Sequence, residues 1–218
     1  WTDFYFVPVE DPEKAVDMVR RMVCEHLPQK FGFDRVDDIQ VLSPMQRGVL
    51  GCRNLNMVLQ EALNPSGPAI ERYGWTFRAG DKVMQMVNDY DKDVFNGDIG
   101  RVAKIDEVEQ EVVVRFDDRP VTYDFNELDE LHLSYATTVH KSQGSEYPAV
   151  VLPIHTQHYM MLQRNLLYTA ITRSRKLVVL VGTQKALAIA VHNMDARRRV
   201  TLLKQRLQAL PVPEGLFL

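Results

Sequence analysis

Residues 149–154 and 177–181 are unbroken apolar runs, and they constrain the chain more than any other feature of it. A strand that alternates apolar and polar residues keeps one wet face, whereas a strand apolar at every position has to be covered on both faces. Both runs therefore read as strands of a parallel sheet sandwiched between helices. Parallel neighbours need a crossover between them. The stretch that separates the runs supplies one, as a helix ending at Thr172-Arg173-Ser174-Arg175. Before the first run lies a polar block, residues 136–146, caught between buried segments.

The rest of the chain reads in the same alphabet, with one interruption. Residues 2–9 form a strand, and Asp11-Pro12 then gives a helix N-cap followed by proline at the first helical position. Ala15, Val19, Met22 and Val23 recur at helical spacing behind it. Residues 39–42 make a short buried strand. The turn Ser43-Pro44-Met45-Gln46-Arg47-Gly48 leads from it into a helix with the apolar face Leu55, Val58, Leu59, Ala62 and Leu63. A loop leaving the carboxyl end of such a strand faces the ligand crevice of an open sheet, so Gln46 and Arg47 are placed for function.

Between residues 80 and 133 short β segments take over. Residues 83–88, 99–105, 111–116 and 121–125 are strand candidates, separated by Asn96-Gly97-Asp98, Glu109-Gln110 and Asp117-Asp118-Arg119-Pro120. This is the pattern of a small antiparallel barrel inserted in an α/β domain. The expected organisation is a discontinuous α/β domain over 1–79 and 131–218 with the barrel at 80–130. Residues 197–210 read as one or two further helices, stopped by Pro211 and Pro213.

Composition excludes several classes. The 218 residues are 45% hydrophobic and 25% charged, an ordinary globular balance, and no apolar run approaches membrane-spanning length. A net charge of -3 neither demands nor excludes a nucleic-acid partner. Cys24 and Cys52 lie far apart and the six histidines form no ligand-spaced cluster with them, which points to a reducing cytoplasm and no metal centre. The chain opens on Trp1 with no leader, so it is expected to be a piece of something longer.

A nucleotide-binding chain of this class should carry G-x-x-x-x-G-K followed by Ser or Thr. No Gly-Lys pair occurs anywhere. Asp129-Glu130 precedes a strand instead of ending one, which argues against a magnesium-binding pair. Chemistry on a nucleotide would then have to come from the far side of a shared site.

Four blocks in order resemble superfamily-one helicases of the RecD-like kind. Ala136-Thr137-Thr138-Val139-His140-Lys141-Ser142-Gln143-Gly144-Ser145-Glu146 is similar to motif V in its T-x-H-K-x-Q-G-x-E form. Asn165-Leu166-Leu167-Tyr168-Thr169-Ala170-Ile171-Thr172-Arg173-Ser174-Arg175 resembles motif VI. Gly80-Asp81-Lys82-Val83 and Phe95-Asn96-Gly97-Asp98-Ile99-Gly100 are similar to the start of that family's inserted SH3-like domain, and Leu42 to Gly48 resembles motif IV.

The resemblance implies a second RecA-like motor domain with an SH3-like barrel inserted, working against an N-terminal RecA-like domain that holds ATP and Mg2+. Arg173 is the implied arginine finger, with Arg47 as second catalytic candidate. Gln46, Gly144, Glu146 and Arg173 are the implied nucleotide contacts, and Thr138, His140, Lys141 and Asn96 the DNA contacts. Hydroxyls, backbone amides and cations suit phosphates, which every sequence shares. The implied enzyme is an ATP-dependent DNA helicase of the bacterial cytoplasm moving 5′ to 3′ on single strands or duplex ends, with recombination or repair subunits as partners and no membrane. This chain alone is expected to be inactive. The alternatives are the helicase half of a conjugative relaxase, an RNA-directed relative, or a binding module that has lost nucleotide chemistry. From position alone, Arg47 could equally be a plain surface arginine; the weaker alternative for Arg173 is a solvated helix-end arginine, and for His140 a buried, hydrogen-bonded histidine. The barrel's aromatic residues are expected to be core, and no base-stacking role is assigned to them.

Overall fold

The computed structural model describes residues 3–193 and 208. Strand β1 (Phe4–Pro8) leads into α1 (Pro12–Arg21), whose first turn is closed by Asp11 accepting from the Glu13 and Lys14 amides. The helix widens into a π turn over Met22–His26 before α2 (Leu27–Phe31). Pro28 accounts for the widening: it has no N–H to donate, and its ring would strike the carbonyl four residues back in a regular helix. Next come β2 (Ile39–Ser43), buried throughout, and α3 (Cys52–Leu63).

A hairpin of β3 (Ala69–Arg72) and β4 (Trp75–Arg78) follows, then β5 (Lys82–Gln85), β6 (Ile99–Asp106), β7 (Glu111–Phe116), β8 (Arg119–Asp124) and β9 (Leu131–Leu133). Strand and helix alternation returns with β10 (Ala136–Thr138), β11 (Tyr147–Ile154), α4 (Arg164–Ile171), β12 (Ser174–Gly182) and α5 (Gln184–His192).

One sheet runs β1-β12-β11-β2-β10, every pair parallel. Its alternate residues serve two cores. Ile39, Val41, Ala149, Val151 and Val179 pack with Ala15, Val19, Leu55 and Leu59 from α1 and α3. Leu42, Val150, Leu152, Val178 and Leu180 pack with Leu167 and Ala170 of α4 and Ala186 and Ala190 of α5. This is the double coverage that the apolar runs demand. A second sheet, β8-β7-β6-β5-β9, is antiparallel throughout, and its Val83, Val102, Val114, Tyr123 and Leu131 extend the α1 and α3 core.

Several expected elements change at their ends. The strand at 83–88 stops at Gln85, the strand at 121–125 runs from Arg119 to Asp124, and the helix before β12 ends at Ile171, leaving Ser174 and Arg175 in the strand. The β3–β4 hairpin carries no strong sequence signal: its strands are four residues each, β3 mostly exposed and β4 burying Phe77, and its two-residue turn is Tyr73-Gly74. Both turn residues have positive φ, 50° and 74°, the geometry that suits a two-residue hairpin. The helices expected over 197–210 lie outside the described residues, Gln208 excepted.

Lys82 joins the two sheets. It is buried, and its ammonium donates to the Val36 carbonyl at 2.8 Å, just ahead of β2. Burial pulls its pKa down from 10.5 to about 8. Between those values the unfolded chain holds the proton and the folded one has lost it. The unfolded state then binds more protons, so stability rises with pH by roughly 2 kcal/mol from about pH 8 to pH 10. From about pH 9 the buried Cys52 thiol, pushed up to about 12 by burial, works in the opposite direction, and Tyr123 and Tyr135, whose pKa values burial raises, join it above the window. Denaturant midpoints across this range should rise in the wild type relative to Lys82→Met; parallel curves would remove the buried ammonium as the cause.

Candidate nucleotide and nucleic-acid interface

Strands β2 and β10 end together, Ser43 opposite Thr138. After β2 the loop is stapled by the Ser43 hydroxyl, which donates to the Leu50 carbonyl at 2.6 Å and accepts from the Met45 amide at 3.3 Å. Gly51 lies so close beneath it that a Cβ there would stand 2.5 Å from the Arg47 carbonyl carbon. This packing holds Gln46 and Arg47 out in solvent. The edge strand β10 is clamped from α3: the Asn56 amide donates to the Ala136 carbonyl and its oxygen accepts from the Ala136 N–H, both at 2.8 Å. A buried side chain thereby satisfies backbone groups that an edge strand leaves open.

From Thr138 the chain makes a series of turns. Its carbonyl accepts from the Ser142 amide at 3.1 Å and its hydroxyl from the Lys141 amide at 3.3 Å, while the buried Ser142 hydroxyl donates to the Val139 carbonyl. His140 is exposed, which rules out the core reading of that residue. Lys141 donates through Nζ to Asn96 Oδ1 at 2.7 Å, tying these turns to the barrel. Gln46, Trp75, His132, Thr137 and Lys141 line one narrow cleft beside it. The structure thus brings Gln46, Arg47, Thr138, His140, Lys141 and Asn96 to one edge of the parallel sheet.

Residues 143–146 carry the chain to the other edge. Gly144 turns there with φ 91°, open space where a Cβ would stand, and β11 begins at Tyr147. Here the ends of the two motif-like segments are bonded to each other. The Tyr147 amide donates to the Arg173 carbonyl at 2.8 Å, and the Arg173 guanidinium donates to the carbonyls of Ser145 (3.2 Å) and Thr169 (3.3 Å) and to Thr172 Oγ1 (3.3 Å). Arg173 is half-buried and has no carboxylate partner among the described residues. Glu146 is taken by Arg175 at 3.0 Å in an exposed pair, of a kind that stabilises by at most about 1 kcal/mol.

Register separates the two edges. Ile39, Ala149 and Leu177 lie level, Ser43 ends β2 above them, and Arg173 precedes β12 below. At about 3.3 Å per residue the separation along the strands is roughly 25 Å. Arg47 and Gln46 are thus set apart from Arg173 along the strands. They follow a strand's carboxyl end, whereas Arg173 precedes an amino end.

Sequence reasoning missed the surface that the barrel adds. Tyr90 (77% exposed) and Phe95 (40%) face solvent with ring centroids 5.8 Å apart, so these aromatics are not core. Their loop is rigidly held: Lys92 pairs with Asp89 and Glu127, and Arg119 donates to the Lys92 and Asp93 carbonyls. Glu130 of the Asp129-Glu130 pair accepts from Gln85 Nε2 at 2.8 Å. Among the described residues no group of three or more His, Cys, Asp or Glu is arranged to hold a metal, and no helix is long and apolar enough to cross a membrane.

Comparison with known proteins fits this architecture. Residues 55–116 match the family model of the ATP-dependent RecD-like DNA helicase SH3 domain, and residues 133–181 that of the UvrD-like helicase C-terminal domain. An ATP-dependent RecD2 DNA helicase of Deinococcus radiodurans is 40% identical over 167 residues, 77% of this chain and 23% of that protein. The RecBCD enzyme subunit RecD of Mycolicibacterium smegmatis is 26% identical over 91% of this chain and 36% of its own length. The chain thus spans about a quarter to a third of these relatives. In fold, it superposes on a Bacteroides Pif1 helicase, solved with ADP-AlF3 and single-stranded DNA, with a TM-score of 0.55 at 15% identity, covering 88% of this chain and 48% of that one. With its parallel α/β sheet, SH3-like barrel and motif order, the chain belongs to the RecD-like superfamily-one helicases, as a C-terminal region of that family.

Proposed function

We propose that this chain is the second motor half of an ATP-dependent DNA helicase, reading nucleotide at one edge of its sheet and single-stranded DNA at the other. The observation that carries the proposal is the path of residues 138–146. They leave the edge where Thr138, His140 and Lys141 stand and end in contact with the Arg173 guanidinium. One short segment touching both sites is what strand binding needs in order to influence hydrolysis.

On this reading the α/β domain (1–79 and 131–218) and the barrel (80–130) act against a phosphate-loop domain outside this sequence, which holds ATP and Mg2+. Mg2+ held by that domain would supply positive charge to the phosphates. Arg173 reaches across as the finger, and Gly144, with no side chain in the way, lets its turn come close to the nucleotide. The residues fit that role, because a half-buried guanidinium bonded only to neutral acceptors keeps its charge for a phosphate. Gln46 and Arg47 pass to the strand path with Thr138, His140, Lys141 and Asn96. Tyr90 and Phe95, beside Asn96 in sequence, offer a face on which bases can stack. The RecD2 and RecD relatives support DNA as the track and bacterial cytoplasm near the nucleoid as the setting, with recombination or repair subunits as partners. The 5′ to 3′ direction rests on family resemblance. Alone, this chain hydrolyses no ATP.

The test is His140→Ala and Lys141→Ala in the intact protein. Each should raise the DNA concentration needed for half-maximal stimulation while basal turnover stays near wild type. Lys141→Ala should also make the salt dependence of binding shallower by about one counterion. Loss of basal turnover with unchanged DNA stimulation would move these residues to the nucleotide side and defeat the two-edge reading.

A further inference from the structure

Arg173 follows the last turn of α4, where backbone carbonyls have no partner within the helix. Its guanidinium exploits that gap, with Nε on the Thr169 carbonyl at 3.3 Å, one terminal nitrogen on the Ser145 carbonyl at 3.2 Å and the other on Thr172 Oγ1 at 3.3 Å. The Thr172 hydroxyl gives its own proton to the same Thr169 carbonyl at 3.0 Å. Its direction is thereby fixed: the hydrogen is committed and the lone pairs face Arg173. All three acceptors are neutral, so the guanidinium is oriented without being neutralised. A carboxylate in the same place would orient it more strongly but cancel the charge a phosphate needs. The acid in this region, Glu146, is occupied by Arg175.

Resting on the finger reading above, we infer that Thr172 is a positioning residue for Arg173: its hydroxyl sets the plane of the guanidinium, so that the fork meets the phosphate already aligned. An aligned group loses less rotational freedom in the transition state, and the benefit falls on the chemical step rather than on ground-state binding.

The experiment compares Thr172→Val, which keeps the shape and removes the acceptor, with Thr172→Ser, which keeps the hydroxyl, in the intact helicase. With single-stranded DNA saturating, Thr172→Val should lower kcat about tenfold, the worth of a hydrogen bond to a charged group, with KM for ATP unchanged. Affinity for magnesium ADP with aluminium fluoride, a mimic of the phosphate in flight, should fall in parallel while affinity for ADP alone holds. Thr172→Ser should restore both. Wild-type turnover in Thr172→Val, equal impairment in Thr172→Ser, or a matching loss of ADP affinity would each overturn the assignment. If Thr172→Val fails to fold, the ratio of Thr172→Ser to Thr172→Ala decides the question in its place. The underlying reading is judged separately: normal turnover in Arg173→Lys removes the finger itself, whereas a crippled Arg173→Lys beside a normal Thr172→Val removes only the role of Thr172.

Discussion

Arg173→Lys in the intact protein is expected to depress ATP turnover by about three orders of magnitude at saturating single-stranded DNA, with ATP and DNA binding close to wild type. Charge is preserved, so the loss isolates geometry. A lysine ammonium is a strongly hydrated point charge on a flexible stem, whereas the guanidinium presents parallel donors to two phosphate oxygens at once. Lysine also cannot reproduce the present anchorage, in which one group bonds Ser145, Thr169 and Thr172 together. Steady-state hydrolysis paired with equilibrium nucleotide binding separates the outcomes. Turnover within a few-fold of wild type would mean that Arg173 stabilises no transition-state charge. Arg47→Lys is the internal contrast: standing at the other edge of the sheet, it should leave hydrolysis largely intact at saturating DNA and show itself in strand affinity.

That contrast marks where the sequence could be read and where it could not. The parallel sheet was legible because residues 149–154 of β11 and 177–181 of β12 are apolar throughout, whereas Arg173 stands out only through the motif it sits in. Gln46 and Arg47 follow one strand and Arg173 precedes another, but a linear string does not say how those strands are ordered and aligned in the sheet. Only the register, with Ser43 level with Thr138 and Tyr147 level with Ser174, puts them on opposite edges. The β3–β4 hairpin was invisible since its strands are only four residues each and alternate weakly, and Trp75 was lost with it. Sequence puts Phe95 near a turn of the barrel but gives it no stacking role, because aromatics are more often core, and it does not single out Tyr90. Their exposure depends on a loop conformation set by Asp89, Lys92 and Arg119, which is a tertiary fact.

Asp81 shows the same limit from the side of stability. In sequence it is one residue of a family block at the start of the barrel. In the structure it is fully buried and accepts four hydrogen bonds: from Gln60 Nε2 at 2.5 Å, Asn64 Nδ2 at 2.7 Å, the Arg78 amide at 2.7 Å and the Tyr135 hydroxyl at 2.9 Å. The donors come from α3, from the residue just after it, from the end of β4 and from the residue that precedes β10. One carboxylate therefore fixes the barrel's first strand against both the helix and the edge strand leading to Thr138. Asp81→Ala leaves those donors buried and unpaired, at about 1 to 3 kcal/mol for each that water cannot reach. The expected loss is about 4 kcal/mol, a fall in Tm of roughly 10 °C for a chain of this size. Tyr135→Phe removes one donor and leaves the acceptor with three, so it should cost about 1 kcal/mol. If the hub acts as a unit, the double substitution will cost less than the sum, because the Tyr135 hydroxyl has already lost its partner. Additive losses would mean that Tyr135 is held by something other than Asp81. A melting temperature for Asp81→Ala within a degree or two of wild type would mean that solvent reaches these donors and the hub does not hold the two sheets together.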